Sequence, residues 1–571
     1  MRSCFYILIL LVFGVSVFSQ NKTPDFYPPL KIKPVVSGSF GEIRTNHFHS
    51  GLDLATNGKQ GYRVYSSGDG FVARIKVSPV GYGKALYVQH PNGYTTVYGH
   101  LQRFAPKIDS IVRKRQYEKK SYSIELFFKK NEIPVKKGEV IAFSGNSGSS
   151  GGPHLHYEIR KTDWQKPMDP LLFRSDVADD IKPRIQGIKI YPLDTNARIE
   201  GRYKPKYLQT VYYDKSFHPK GQRIIKASGK IGLGIQALDY FSGSWRKCGV
   251  RSVDLFIDST KIFEADYSTF LFSETRYVNS LMDYGEKMKT GKVIQKSFVE
   301  PNNKLKIYHY LKNKGVIDLE PGKKLNVKYV VKDAAGNESE LTFILQGVSY
   351  PNDEPAAELD DDQVTISWDK PFDFASDGVH VNFKEGSFYT DIPFYFEVDD
   401  DSTGFLSPVY VIGNEDIPVH RSYDISIDIP DTVSLPAEKL FIAGVTAKGK
   451  PYYIGGEAKD GVIKAKLRGF GKFTIYADTV SPVVKLNRAP SAYNYRGRKT
   501  IDVRIYDNMS GIKSYDCYID DKWALFEYDA KNNRLTGYKS YFPVKGGKRK
   551  LRIEAVDNCG NKTIKEYNIT L

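Results

Sequence analysis

Cysteine is scarce: there are four in 571 residues, and one of them, Cys4, lies within the first twenty. The other three, Cys248, Cys517 and Cys559, make no disulfide framework, and their spacing is not that of a zinc ribbon. Long apolar runs are scarce too. Beyond Phe5–Phe18 no stretch approaches the ~20 apolar residues that span a bilayer, which excludes a polytopic membrane protein. A composition of 41% hydrophobic and 26% charged residues excludes a disordered chain, a collagen and a coiled-coil rod. What is plentiful is Tyr and Phe, 40 and 32 residues, in short runs broken by Gly, Asn and Asp. That pattern predicts a mainly β protein, and the length predicts about four domains at ~150 residues each.

Arg2, the apolar run and then Ser19 and Gln20 read as a secretory signal peptide over 1–19. An uncleaved anchor is the alternative. Cys4 precedes the run instead of closing it, which argues against a lipoprotein. The mature chain is expected to be exported, to the periplasm, the cell envelope or the medium, with no transmembrane segment left after cleavage.

Charge and histidine are unevenly placed. Residues 21–175 carry 24 Lys+Arg against 12 Asp+Glu, whereas 176–571 carry 58 against 54. His47, His49, His90, His100, His154 and His156 all precede residue 160. The first domain therefore differs chemically from the rest. Within it, residues 105–137 hold ten basic and four acidic residues. This run reads as a solvated hairpin or loop, with an arm that attracts an anionic polymer as the functional alternative.

The remainder contains a repeat. ADDIKP at 178–183 matches ADTVSP at 477–482, GVRSVDLFID at 249–258 matches GIKSYDCYID at 511–520, and DAAGN at 333–337 matches DNCGN at 557–561. Short alternating runs broken by turn residues predict β-sandwich modules. The Asp-x-x-Gly-Asn segments read as tight turns between late strands, with a calcium site as the sharper alternative. Cys517 and Cys559 belong to the second copy alone, so one bridge there and two buried free thiols are the competing readings. The predicted organisation is a signal peptide at 1–19, a first domain at 20–175 with an insertion at 105–133, a β-sandwich at 176–347, an acidic linker (Asp353 to Asp362) plus a β domain at 348–477, and a second copy of the sandwich at 478–571.

Chemistry concentrates in three segments. TNHFHSGLDLAT holds His49 and Asp53; VYGHL holds His100; GNSGSSGGPHLHYEIR joins a Gly-rich loop to His154 and His156. On an extended strand residues i, i+2 and i+4 share a face. His49 and Asp53 would point together, as would His154, His156 and Glu158, while Leu155, Tyr157 and Ile159 face a core. Two imidazoles and a carboxylate suit Zn²⁺ and leave a fourth position for water, the arrangement of a catalytic site. Remaining imidazoles can move the water's proton or stabilise an oxyanion. A lone His-x-His is more often just a strand with two histidines; the set, within about 110 residues, is far more specific.

These residues resemble the motifs of the M23 (lysostaphin/LytM-type) family of zinc metallopeptidases, over roughly residues 35–172. HSGLD at 49–53, YGHL at 98–101 and the Gly-rich loop leading into HLH match the family's pattern. The resemblance implies a LytM-like antiparallel β domain with an open groove, followed here by several β-sandwich (Ig-like) modules. It implies that His49, Asp53 and His156 ligate Zn²⁺ and that His100 and His154 are the catalytic imidazoles, with the choice of base left open. The chain departs from the family in its insertion at 105–133. His47 reads as exposed or core histidine ahead of any supporting role, His90 as part of a turn, and His218, His309, His380 and His420 as structural.

The expected function is an exported zinc metalloendopeptidase that hydrolyses amide bonds in peptidoglycan stem peptides or cross-bridges. The alternatives are a non-enzymatic wall-binding or regulatory protein that docks through this domain, and a peptidase with a non-wall protein substrate. Peptidoglycan is the expected partner, no nucleic acid is expected, and the C-terminal β domains are a place for a protein regulator.

Overall fold

A computed structural model of the chain describes residues 24–174, 176–350, 364–399, 403–488 and 493–571. The signal peptide expected at 1–19 and the acidic linker Asp353 to Asp362 lie outside the described residues. No helix among the described residues is long and apolar enough to cross a membrane.

The chain is mainly β. Its first region is a nine-stranded antiparallel sheet whose middle strands run in the order Leu52–Ala55, His154–Lys161, Tyr94–Gly99, Lys84–Gln89, Gly70–Val77. Alternation dictates which side is core. Leu155, Tyr157 and Ile159 are wholly buried, and the Tyr98 and Tyr157 rings meet at 5.6 Å beneath the sheet. Both tyrosine hydroxyls find partners at Ser67, so neither is a buried orphan. A smaller sheet of Arg63–Tyr65, Val140–Phe143 and Arg103–Phe104 lies beside it.

The following region builds a twelve-stranded sheet around the long Ile224–Leu238 strand. Residues 365–477 form two five-stranded sheets and residues 483–570 two four-stranded sheets. In both repeat copies the Asp-x-x-Gly-Asn segment turns between two long antiparallel strands, Lys324–Lys332 into Glu338–Gly347 and Lys548–Asp557 into Lys562–Thr570.

Three local expectations differ from the structure. The basic run at 105–137 is neither a hairpin nor a loop at its start: Pro106–Lys119 is an α-helix. Pro106 opens it where no amide partner is needed, and Ile108, Val112 and Gln116, spaced four apart, are buried. The helix does not reach into solvent as an arm. Arg113 lies 3.9 Å above the Tyr541 ring, and Tyr117 packs edge-on against Trp523 at 5.2 Å, so the helix is held by the last repeat copy.

The reading of a Cys517–Cys559 bridge also gives way: both thiols are free and buried. Cys517 points into the core of the last module, whereas Cys559 packs against Phe441 and Ala443 of the preceding domain. Finally, His49 and Asp53 do not share one strand. The chain bends at His49–Gly51 before Leu52–Ala55 begins.

Candidate metal centre

Three neighbouring strands deliver the site. Register sets His156 opposite Asp53 on one side and opposite Gly99 on the other. His49 comes from the bend ahead of Asp53. Gly51 makes that bend possible, since a Cβ there would lie 2.6 Å from the Tyr157 carbonyl oxygen and 2.8 Å from His156 Cε1. His100 follows Gly99 in a left-handed conformation with φ 57°. That geometry costs a non-glycine residue ~1–2 kcal/mol and ends the strand.

The side chains converge on Asp53 Oδ1. His156 Nδ1 is 2.8 Å from it, His49 Nε2 3.1 Å and His154 Nε2 3.5 Å. His49 Nε2 and His156 Nδ1 are themselves 3.1 Å apart. One ligand atom from each of His49, Asp53 and His156 falls within 4.8 Å of the other two, and all three residues are buried. Such a spacing suits one cation held between two nitrogens and a carboxylate oxygen, at the ~2.0–2.2 Å of zinc–ligand bonds.

Hydrogen bonds at the far side of each ring choose the facing nitrogen. His49 Nδ1 lies 2.7 Å from the Ser39 carbonyl. A carbonyl only accepts, so Nδ1 carries the proton and Nε2 faces Asp53 with its lone pair. His156 Nε2 donates to Glu158 Oε1 at 2.8 Å, which leaves Nδ1 facing Asp53. His154 Nδ1 is 2.8 Å from the Gly152 carbonyl and His100 Nδ1 is 2.9 Å from the Ser147 carbonyl, so Nε2 is the acceptor on both rings. The His100 and His154 ring centres are 4.8 Å apart.

The electrostatics follow from burial and these partners. Burial by itself would raise the Asp53 carboxyl, but the His49, His154 and His156 imidazoles gathered on it hold it well below the usual carboxylate range. Burial also opposes charge on His156, yet its bonds to Asp53 and Glu158 lift it to about 9. Burial first, then the His156 and His154 charges, push His100 down to about 3. Burial likewise opposes charge on Glu158, but the Arg160 guanidinium and His156 hold its carboxyl below the ordinary range.

The five expected residues, His49, Asp53, His100, His154 and His156, are therefore brought together. On the His154–Glu158 face, His156 and Glu158 are buried. Glu158 is a hub beneath His156. It accepts from His156, Ser50 and Tyr82 as well as from Arg160. His47 is exposed and bonds only to the Thr45 carbonyl, and His90 is tied to the Asp69 carbonyl and Thr96. Sequence reasoning did not find Ser39, Tyr82 or Arg160. Arg160 continues the i+2 alternation of His154, His156 and Glu158 and was legible on that ground; Ser39 and Tyr82 carry no such signal.

Residues outside this region support it. Ser39, whose carbonyl orients His49, accepts the Gly249 N–H on its hydroxyl at 2.9 Å. Phe48, next to His49, packs at a tilt against Phe270, with ring centres 5.1 Å apart, in the core of the following region. On the other side Lys531 of the last repeat copy donates to Asn146 Oδ1 of the Gly-rich loop at 3.1 Å, and Lys84 pairs with Glu527 at 2.8 Å.

Residues 47–117 and 122–170 match peptidase family M23, and residues 363–478 match the Zu5-like domain. The chain thus carries an M23 peptidase domain, followed by further β regions. Among curated relatives, the DD-carboxypeptidase/endopeptidase Mpg of Neisseria meningitidis serogroup B is 36% identical over 118 residues, 21% of this chain and 21% of the relative. The peptidoglycan DD-endopeptidase ShyA of Vibrio cholerae serotype O1 is 35% identical over 111 residues, 19% of this chain and 20% of the relative. The chain thus spans only about a fifth of the length of these relatives. A crystal structure of a zinc-containing peptidase from Vibrio cholerae is 27% identical over 27% of this chain and 41% of that one, with a TM-score of 0.20.

Proposed function

We propose that this chain is an exported zinc metalloendopeptidase that hydrolyses amide bonds in the stem peptides or cross-bridges of peptidoglycan. His49, Asp53 and His156 hold the zinc, and His100 and His154 are the catalytic imidazoles. The observation that carries this reading is the convergence of His49 Nε2, His156 Nδ1 and Asp53 Oδ1, with the far nitrogen of each ring tied to an acceptor. Tying the far nitrogen of each ring to an acceptor is how a metal centre orients its imidazoles. Two nitrogens and one carboxylate are also a zinc donor set rather than a calcium or magnesium one.

Zinc, when bound, supplies a Lewis acid that polarises the scissile carbonyl and makes water a nucleophile near neutral pH. The chain's own residues supply the rest. Glu158, itself held by Arg160, keeps His156 in its tautomer. His100 and His154 present unprotonated Nε2 atoms, which can take a proton from water and return it to the leaving amine. Peptidoglycan as substrate rests on the resemblance to wall peptidases and on the basic first region, which suits an anionic polymer.

The test is digestion of intact peptidoglycan by residues 20–571, with released muropeptides identified by mass spectrometry. Loss of cross-linked dimers that a zinc chelator stops, and that His156→Ala abolishes, is the expected result. Full biological activity in a zinc-free His156→Ala protein would overturn the enzyme reading in favour of a docking role.

A further inference from the structure

Three aspartates meet in the region that follows the peptidase domain. Asp179 lies in the segment that leaves the domain, ahead of the Arg184–Pro192 strand. Asp239 follows the end of the Ile224–Leu238 strand, and Asp333 begins the turn after Lys324–Lys332. One carboxylate oxygen from each lies within 4.8 Å of the other two. Asp239 is 1% exposed and Asp333 3%. Neither carboxylate oxygen of Asp239 has a hydrogen-bond partner, and Asp179 Oδ2 has none either. The Asp239 main chain is locked in place by paired bonds to Cys248, both 2.9 Å, so its side chain is directed at the other two acids by the backbone. Among the described residues no Lys or Arg pairs with any of the three.

Two buried carboxylates beside a half-buried one, with no countercharge, are unfavourable. We infer that Asp179, Asp239 and Asp333 bind a calcium ion. The donors are all oxygens, which selects a hard cation over zinc. Calcium–oxygen bonds of ~2.3–2.6 Å put ligands on opposite sides of the ion about 4.6–5.2 Å apart. Oxygens within 4.8 Å of one another fit inside one calcium sphere, and magnesium, which keeps several waters and takes only one or two carboxylates, suits three converging carboxylates less well.

The same device stands in the other repeat copy. Asp478, Asp507 and Asp557 likewise bring one carboxylate oxygen each within 4.8 Å of the other two, and Asp-Tyr-Phe-Ser-Gly at 239–243 corresponds to Asp-Asn-Met-Ser-Gly at 507–511. The supporting bonds repeat as well. Asn337 Nδ2 donates to the Asp179 carbonyl at 3.2 Å and Asn561 Nδ2 to the Asp478 carbonyl at 2.9 Å. Ser339 bonds to the Pro183 carbonyl and Thr563 to the Pro482 carbonyl, both at 2.6 Å. In the later copy Asp507 Oδ2 accepts from Met509 N and Gly511 N, and Asp478 Oδ2 from Ser510 N. The first triad keeps more oxygens unpartnered, so it is the site assigned. A cation there ties the segment that leaves the peptidase domain to two strand ends of the next region.

The experiment is equilibrium dialysis of chelator-treated, full-length mature protein against calcium, comparing native chain with Asp239→Asn. The native protein should bind one more calcium per chain than the variant, and its melting temperature should rise with calcium more than the variant's. Without calcium the variant should melt no lower than native protein, because Asn removes a like charge. Equal calcium binding by the two proteins overturns the site. A second measurement needs no variant. Calcium, but not the same concentration of magnesium, should slow hydrogen exchange at 239–243 and 333–337 of native protein; unchanged exchange there also overturns it.

Discussion

Asp53 and Asp239 are both buried acids inside clusters of titratable groups, one in the peptidase domain and one in the region behind it, and their surroundings push them in opposite directions. Around Asp53 three imidazoles outweigh burial, and the carboxyl is held well below its usual range. Around Asp239 burial acts with the Asp333 and Asp179 charges, and the carboxyl is pushed up to about 8. The difference teaches that burial alone does not decide the state of an acid. The partners decide it, and the partners also decide which metal suits the pocket: nitrogen with oxygen for zinc, oxygen alone for calcium.

The largest effect expected is at the mixed cluster. Asp53→Asn should lower zinc affinity and peptidoglycan cleavage by more than the ~10–100-fold that loss of an outer partner costs, read by zinc content against a competing chelator and by muropeptide release, while Asp239→Asn leaves zinc content unchanged. Zinc lost equally from both variants would break the contrast.

Next comes the support beneath His156. Glu158→Gln leaves the buried Arg160 without its carboxylate, a loss of about 3–5 kcal/mol in denaturant unfolding. The pH dependence has a definite sign. A carboxyl held low in the folded protein contributes stability that is present above its unfolded value of ~4.3 and is lost as pH falls below it. Native protein should therefore weaken on acidification below about pH 4.5 more steeply than the Gln variant.

Phe48→Ala tests whether the region behind the peptidase domain braces His49. Removing a ring buried against Phe270 should cost about 3 kcal/mol and weaken zinc retention under a competing chelator. Unchanged zinc retention in a folded variant would show that Ser39 alone positions the imidazole.

Asp169 sharpens the comparison from the other side. It is buried at the junction, where its amide donates to the Ser268 carbonyl, and burial raises its carboxyl to about 6. A carboxyl raised on folding favours the fold at low pH, and that contribution is lost as pH rises from about 4 through 6. Asp169→Asn keeps the acceptor for Leu171 N–H and should stabilise the protein at pH 7.5 by on the order of 2 kcal/mol, with little change at pH 4. Equal gains at both pH values would refute the cause. The smallest effect is at Lys531→Ala, which removes one bond set to the Gly-rich loop and should change stability by about 1 kcal/mol or less.

Much of the peptidase domain was legible in its sequence because strand alternation is local. His154, His156 and Glu158 on one face, with Leu155, Tyr157 and Ile159 on the other, need no knowledge of the rest of the fold. The repeat was legible for the same reason, as three short matches in the same order. The helix at Pro106–Lys119 was not. Its buried stripe is only Ile108, Val112 and Gln116, and Arg113, Lys114 and Arg115 fill the turn between the last two. Ile108 and Val112 bury into the core of the peptidase domain itself, and Tyr117 is covered by Trp523 and Tyr541, more than 400 positions away.

The sequence by itself determined which side chains are candidates for the chemistry, that the chain is mainly β, and that three short segments recur in the same order. Only the tertiary structure decided how those side chains face one another. His49 and His156 are 107 residues apart, and their facing nitrogens are selected by Ser39 and Glu158, one of which is itself held by Gly249 of the next region. Asp179, Asp239 and Asp333 are spread over about 150 residues and meet only where two strand ends and a connecting segment close together. Periodicity assigns a residue to a face, but a site is made by strands that neighbour one another through register and topology, which no local pattern encodes.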